Sequence, residues 1–331
     1  MSKVGIIANP ASGKDIRRLV AYASIMDNNE KTNQLRRIIL GIDATGIDEI
    51  LIMPDYYGLG QRALDGIGRK KLNAKVSIMD MPTTYTSEDS TRAAGLMAEQ
   101  GVDCIVTLGG DGTNRDVAKE SRNIPLVPVS TGTNNVFPMM VEATTAGIAA
   151  GIIARKLVNG RDTVKIHKRL VIVKDGREID MALIDAVVLN QLFVGARAIW
   201  ELPEVKQIIC TRAEPTNMGI TSIGGNLHPI GPDDKQGIYL KLGNSNIKVK
   251  AAVLPGVIGE VGIEDWKLLE LGDEVSVNHK PSVIALDGER EIMVKDSDNI
   301  KVRLQDDGPL VVDIEKTIGA AVDKGFFRNL N

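Results

Sequence analysis

The chain has 331 residues, enough for two domains with a sizeable core, and 43% of them are apolar, which excludes a disordered protein. Its formal charge of −3 comes without a long basic run, so no nucleic-acid partner is expected, and aromatics make up only 3%, so Ile, Val, Leu and Ala must build the core and an aromatic platform for stacking bases is not expected as a main theme. Cys104 and Cys210 are far apart, the first inside an apolar run, and His167, His228 and His279 are scattered, which argues against a disulfide framework or a zinc site.

From the N-terminus, Val4–Ala8 reads as a strand ending at Asn9-Pro10, too short for a signal peptide core, and the expected location is the cytoplasm. Asn9-Pro10-Ala11-Ser12-Gly13-Lys14 follows as a turn. Ala8 to Asp15 nearly matches a Walker A loop, but Ala8 replaces its first glycine and Asp15 its Mg²⁺-binding hydroxyl, so no P-loop is expected. Strands are predicted at Glu49–Met53, Lys75–Met79, Asp103–Leu108 and Leu126–Val129. Amphipathic stretches lie between them near 31–44, 60–71, 87–100 and 114–122, with Thr86-Ser87-Glu88-Asp89 capping the third. This rhythm implies an open parallel sheet with helices on both faces. Gly58-Leu59-Gly60-Gln61-Arg62-Ala63, with Asp80 at 20 residues beyond Gly60, has the spacing of a dinucleotide fingerprint. Pro54 to Tyr57 separate it from its strand, however, and it belongs to the second βα unit, so a loop and helix start are expected instead.

The fourth strand runs into Gly109-Gly110-Asp111-Gly112-Thr113 and then a helix. Glycines let a backbone approach an anion, and the helix start offers unpaired N–H groups and a positive dipole end. An aspartate there repels phosphate, so it makes sense as a Mg²⁺ partner or as a base for an attacking hydroxyl. The fifth strand runs into Thr131-Gly132-Thr133-Asn134-Asn135. All three turns fall at the carboxyl ends of strands, where open α/β sheets bind ligands. Residues 1–137 are therefore read as a nucleotide-phosphate-binding domain and 138–162 as a connecting helix.

From residue 163 to 313 the pattern is that of strands: Thr163–Lys174, Arg177–Asn190, Lys206–Arg212, Gly237–Leu242, Lys248–Leu254, Glu274–Asn278, Ser282–Leu286, Glu291–Lys295 and Lys301–Gln305. Asp175-Gly176 is a hairpin signal. An antiparallel β-sandwich domain is expected, with a ligand cleft between it and the first domain. Glu315–Lys324 reads as a helix, and the stretch Ala146–Ala154 is too short to cross a membrane.

The ordered motifs NPxSG, GGDGT and TGTNN resemble those of the superfamily of NAD kinases, diacylglycerol kinases and sphingosine kinases. Leu286-Asp287-Gly288-Glu289 resembles its DG(E/Q) signature, and the match spans almost the whole chain. The opening IIANPASGKDIRR and the later DNNEK are most similar to the acetoin-catabolism-associated X proteins. The resemblance implies a small-molecule kinase that uses Mg²⁺ and ATP to phosphorylate a hydroxyl. The favoured acceptor is NAD, phosphorylated on its ribose 2′-hydroxyl to NADP. The alternatives are a lipid of the diacylglycerol type, or a non-catalytic nucleotide-binding regulator of acetoin-type catabolism. Asn9, Ser12, Gly13, Gly109, Gly110, Gly112, Thr113, Thr131, Gly132 and Thr133 would hold phosphates, and Asn134, Asn135 and Asp287 the acceptor. Asp111 would be the base by resemblance to NAD kinases, and a Mg²⁺ neighbour; Glu289 would be the base by resemblance to the lipid kinases. NAD kinases carry an Asn-Asp pair where this chain has Asn134-Asn135. The family also implies that residues 314–331 return to the first domain and that the protein is a homo-oligomer, with no membrane attachment.

Overall fold

In the computed structural model, which describes residues 1–13, 22, 25–67, 72–191 and 202–328, strands and helices alternate through the first half. Lys14 and Asp15 of the Walker-like stretch, and residues 68–71 of the second amphipathic segment, lie outside the described residues. The elements are β1 (Lys3–Ala8), α1 (Asn28–Asp43), β2 (Glu49–Ile52), α2 (Leu59–Ile67), β3 (Lys75–Ile78), α3 (Glu88–Glu99), β4 (Cys104–Gly109), α4 (Asp111–Ala118), β5 (Leu126–Ser130), α5 (Ala143–Ala154), α6 (Gly160–Thr163) and β6 (Val164–Ile166). The α4 helix begins at Asp111, three residues before the expected start, so the catalytic candidate stands in its first turn rather than in a preceding loop.

Strand alternation puts Val4, Ile6 and Ala8 on one face of the sheet, beneath α1, α2 and α5, and Ile7 on the other with Met97 of α3 and Val117 of α4. Helices thus cover both faces. α1 and α5 approach so closely that a Cβ on Gly147 would lie 2.3 Å from the Ile38 carbonyl oxygen, and one on Gly41 2.3 Å from that of Thr144.

The second half forms β7 (Arg169–Lys174), β8 (Arg177–Ala182), β9 (Asp185–Leu189), β10 (Val205–Cys210), α7 (Thr221–Leu227), β11 (Gln236–Leu242), β12 (Lys248–Leu254), β13 (Val257–Glu270), β14 (Glu274–Ser276), β15 (Ser282–Leu286), β16 (Glu289–Val294), β17 (Ile300–Gln305), β18 (Leu310–Val312) and α8 (Ile314–Asp323). One sheet has the order β12-β13-β11-β10-β9-β15-β16 and the other β14-β17-β7-β8, with antiparallel neighbours throughout. Leu170, Ile172 and Val302 of the smaller sheet pack on Val188, Ile209 and Ile284 of the larger, which makes a sandwich. Asp175 and Gly176 both have positive φ at the β7–β8 turn, as a type I′ hairpin requires.

Two expected strands divide. The run 163–174 breaks at His167-Lys168: its first part, β6, pairs with β18, and β18 pairs with β5, so both join the first sheet in the order β3-β2-β1-β4-β5-β18-β6. The run 177–190 breaks at Leu183-Ile184. The strand β13 was not anticipated, because most of its residues are not fully buried and its pattern lacks a clean alternation. After β18, α8 packs against α5, with Ala321 in the first domain's core. Among the described residues no helix is long and apolar enough to cross a membrane.

The α1–α5 contact predicts a reversal of helix propensity. Gly→Ala inside a helix normally gains about 1 kcal/mol. At Gly147 the new methyl meets a backbone carbonyl, and overpacking costs ~1–3 kcal/mol or more. Gly147→Ala should therefore lower stability by about 2 kcal/mol in chemical denaturation; an unchanged or raised midpoint would show that the helices can part.

Candidate active site

The carboxyl edge of the first sheet faces the sandwich across a cleft of about 620 Å³. Its floor is built from the NPASG turn after β1. Asn9 accepts the Ala11 N–H at 2.8 Å on its Oδ1 and donates from Nδ2 to Thr113 Oγ1 at 2.9 Å, tying this turn to α4. Ser12 Oγ donates to the Asn9 carbonyl at 2.8 Å and accepts from Thr131 Oγ1 at 3.1 Å. Gly13 has φ +68°, and a Cβ there would lie 2.7 Å from the Thr131 carbonyl oxygen, so no other residue fits without strain.

Beneath this turn lies Lys31, fully buried in the first turn of α1. Its Nζ donates to the carbonyl oxygens of Pro10 at 2.9 Å, Asn9 at 3.1 Å and Ser12, and to Asn28 Oδ1 at 3.2 Å. The ammonium gathers carbonyls that would otherwise face an anionic ligand. Sequence reasoning missed it, yet a signal existed. Lys31 shares its helix face with Leu35, Ile38 and Ile42, so it is a charge on an apolar stripe.

The remaining turns converge on α4. The Asp111 carboxylate accepts Phe137 N–H at 2.7 Å and Val136 N–H at 3.0 Å, which fastens the loop after β5 to the helix. Gly110 leaves room for Asn135: a Cβ would come within 2.8 Å of Asn135 Oδ1. Asn135 Nδ2 donates to Ser130 Oγ at 2.7 Å and to the Gly132 carbonyl at 3.3 Å, while Thr133 Oγ1 donates to Asn134 Oδ1 at 3.4 Å. Across the cleft, Glu289 at the start of β16 brings Oε1 to 3.2 Å from where a Gly112 Cβ would stand. The two residues that sequence reasoning left as rival bases thus both belong to the start of α4: Asp111 is its first residue, and Glu289 reaches its second, Gly112, from across the cleft. Gly109 and Thr131 lie behind the cleft surface, and the other expected phosphate and acceptor residues line it.

Asp287 is buried at φ +50° in the β15–β16 turn. Its carboxylate accepts the N–H groups of Ile184 at 2.7 Å, Leu183 at 3.0 Å and Asp185 at 3.3 Å, which is why the 177–190 run breaks where it does. Arg115 of α4 donates to the Leu286 carbonyl at 2.7 Å, and the buried Arg212 donates to the Val136 carbonyl. Burial and the negative charge of Asp287 push the Asp111 carboxyl up to about 6, against the pull of its backbone donors and Arg212. Burial also raises Asp287, opposed by Arg115 and its own backbone donors. Among the described residues there is no group of three or more His, Cys, Asp or Glu that could hold a metal ion.

The dinucleotide-like spacing has another use. Asp55 accepts the N–H groups of Tyr57, Gly58 and Leu59, each at 2.9 Å, and so occupies the anion position at the start of α2. Asp80 is exposed and away from the cleft lining.

Residues 4–157 match the ATP-NAD kinase N-terminal domain and residues 168–307 the acetoin catabolism protein X C-terminal domain. Over 323 residues the chain is 35% identical to acetoin catabolism protein X of Cupriavidus necator, covering 94% of this chain and 90% of that protein.

The bonds at Asp287 predict a split between two substitutions. Asp287→Ala leaves three buried N–H groups without their acceptor, at ~1–3 kcal/mol for each group left unsatisfied. It should lower the stability measured in denaturant by about 3 kcal/mol or more. Asp287→Asn keeps an acceptor oxygen and should lose much less. Equal stability of the alanine and asparagine variants would contradict this assignment.

Proposed function

The chain belongs to the acetoin catabolism protein X family, and from that membership and the geometry of the cleft we propose that it is a small-molecule kinase. It transfers the γ-phosphoryl of ATP to a nucleotide hydroxyl, and the acceptor is NAD at its adenosine ribose 2′-hydroxyl, giving NADP. The observation that carries this reading is the approach of Glu289, from the second domain, to Gly112 in the glycine-rich first turn of α4 that Asp111 opens.

Phosphoryl transfer is mainly positioning and charge neutralisation. The first-turn N–H groups of α4 have no carbonyl partner within the helix and present the positive end of its dipole to the donor phosphates. Gly110 and Gly112 keep that approach open. Lys31 holds the NPASG turn in register and withdraws three of its carbonyls from the phosphates. An Mg²⁺ ion that keeps waters and substrate phosphates needs only one or two carboxylates; Asp111 and Glu289, the acidic residues at the start of α4, are the ones that would supply them, and the ion would neutralise phosphate charge there. Asp111 takes the proton from the acceptor hydroxyl. With its carboxyl near 6, it is ionised at neutral pH yet a stronger base than an ordinary aspartate. Asn134 and Asn135, at the β5 side of the cleft, orient the acceptor through their amides.

Asp111→Asn keeps the oxygen that accepts Val136 and Phe137, so the fold should survive while kcat falls by about 10²–10⁴. Glu289→Gln should act mainly on KM. Because Asp111 works as the carboxylate, kcat/KM of the unmodified protein should rise with pH as Asp111 ionises, at or below about 6, since a bound Mg²⁺ favours the charged form. Steady-state ADP release across pH 5–8 is the measurement, with the pH range set about the Asp111 value. Near-normal turnover in both variants would remove both carboxylates from the chemistry.

A further inference from the structure

Tyr56 follows β2 and Tyr85 follows β3, yet their rings meet edge to face, with centroids 6.3 Å apart and planes at 89°. They are 51% and 64% exposed, and both line the same cleft as Ser12 and Gly110. This is unusual use of aromatic surface in a chain that holds five tyrosines. The adjacent Tyr57 is treated differently: its hydroxyl donates to Asn29 Oδ1 at 3.2 Å, and the Arg62 guanidinium lies 4.5 Å from its ring centre. Tyr56 and Tyr85 instead present an open corner, a ring face beside a ring edge, which is the arrangement that receives another planar ring.

The corner is held in place. Tyr85 has φ +59°, a conformation that bulky residues avoid. The buried carboxylate of Asp89 keeps it there, accepting the Tyr85 N–H at 2.7 Å and the Thr84 N–H at 2.8 Å. The sheet order β3-β2-β1-β4 places the corner beyond the NPASG turn, on the side away from β5 and the sandwich. Strands are spaced by about 4.8 Å, so the β2 and β3 ends lie about 10 and 14 Å along the sheet edge from the start of α4. That is the reach of an extended nucleotide from its phosphates to its base.

Resting on the kinase reading above, we propose that Tyr56 and Tyr85 form the base subsite of the phosphoryl donor. They stack the adenine ring of ATP over the β2–β3 edge, while the acceptor enters from the β5 side. The donor is then a nucleotide and not inorganic polyphosphate, and the selection is for a planar base, since stacking needs no particular hydrogen-bond pattern.

Calorimetry on the full chain tests this with three probes: Mg-ATP, Mg-tripolyphosphate and NAD. The unmodified protein should bind ATP at least about tenfold tighter than tripolyphosphate, the difference being base stacking. Tyr56→Leu and Tyr85→Leu should each lose most of that advantage with tripolyphosphate and NAD affinities unchanged, and the Phe variants should keep it. Leucine variants that retain the preference for ATP, or that lose NAD affinity instead, overturn the subsite and leave the kinase reading standing. An unmodified protein that binds neither ATP nor tripolyphosphate overturns the kinase reading and the subsite together.

Discussion

Two acidic side chains held in one seam, Asp111 and Asp287, organise the turns on either side of the cleft. Each is anchored by backbone N–H groups: Asp111 by the loop after β5, Asp287 by the turn between β8 and β9. Arg115 and Arg212 reach into the same seam and offset the two negative charges. The bonds that join the domains here are those of the arginines, Arg115 to the Leu286 carbonyl and Arg212 to the Val136 carbonyl. Burial first, and then the nearby charge of Asp287, raise the Asp111 carboxyl to about 6, a shift of the kind that functional sites often show.

The backbone supplies the second half of the design. A buried ammonium, Lys31, collects the carbonyls of the first turn, and glycines at 13 and 110 permit contacts that a Cβ would block. The first turn therefore keeps three carbonyls turned to the ammonium, while acidic residues including Asp111, Asp116, Asp185 and Glu289 also line the cleft. Electrostatic preference is local here, set by what each turn exposes.

Much of this was legible in the sequence because local patterns carry it. The βα alternation, the helix after GGDGT, the sandwich and the Asp175-Gly176 hairpin follow from periodicity and turn chemistry. What could not be read depends on distant pairing. Nothing near β6 or β18 says that three-residue strands on either side of the sandwich will extend the first sheet. Glu289 could be named as a candidate but not located beside Gly112, because their proximity exists only after the domains dock. Asp287 looked like an acceptor contact, and its bonds to the 183–185 turn come from residues about a hundred positions away. Low aromatic content argued against base stacking, yet two tyrosines from separate loops meet at the cleft. Composition counts residues and is blind to where they gather.

The central claim is that this cleft moves a phosphoryl group from ATP to a hydroxyl of NAD. Phosphorus NMR of the full chain with Mg-ATP and NAD reads this directly. The account predicts ADP appearing together with an equal amount of a new phosphomonoester signal on the nucleotide, both abolished in Asp111→Asn. Unchanged ATP and NAD, or ADP accompanied only by free phosphate, would contradict it.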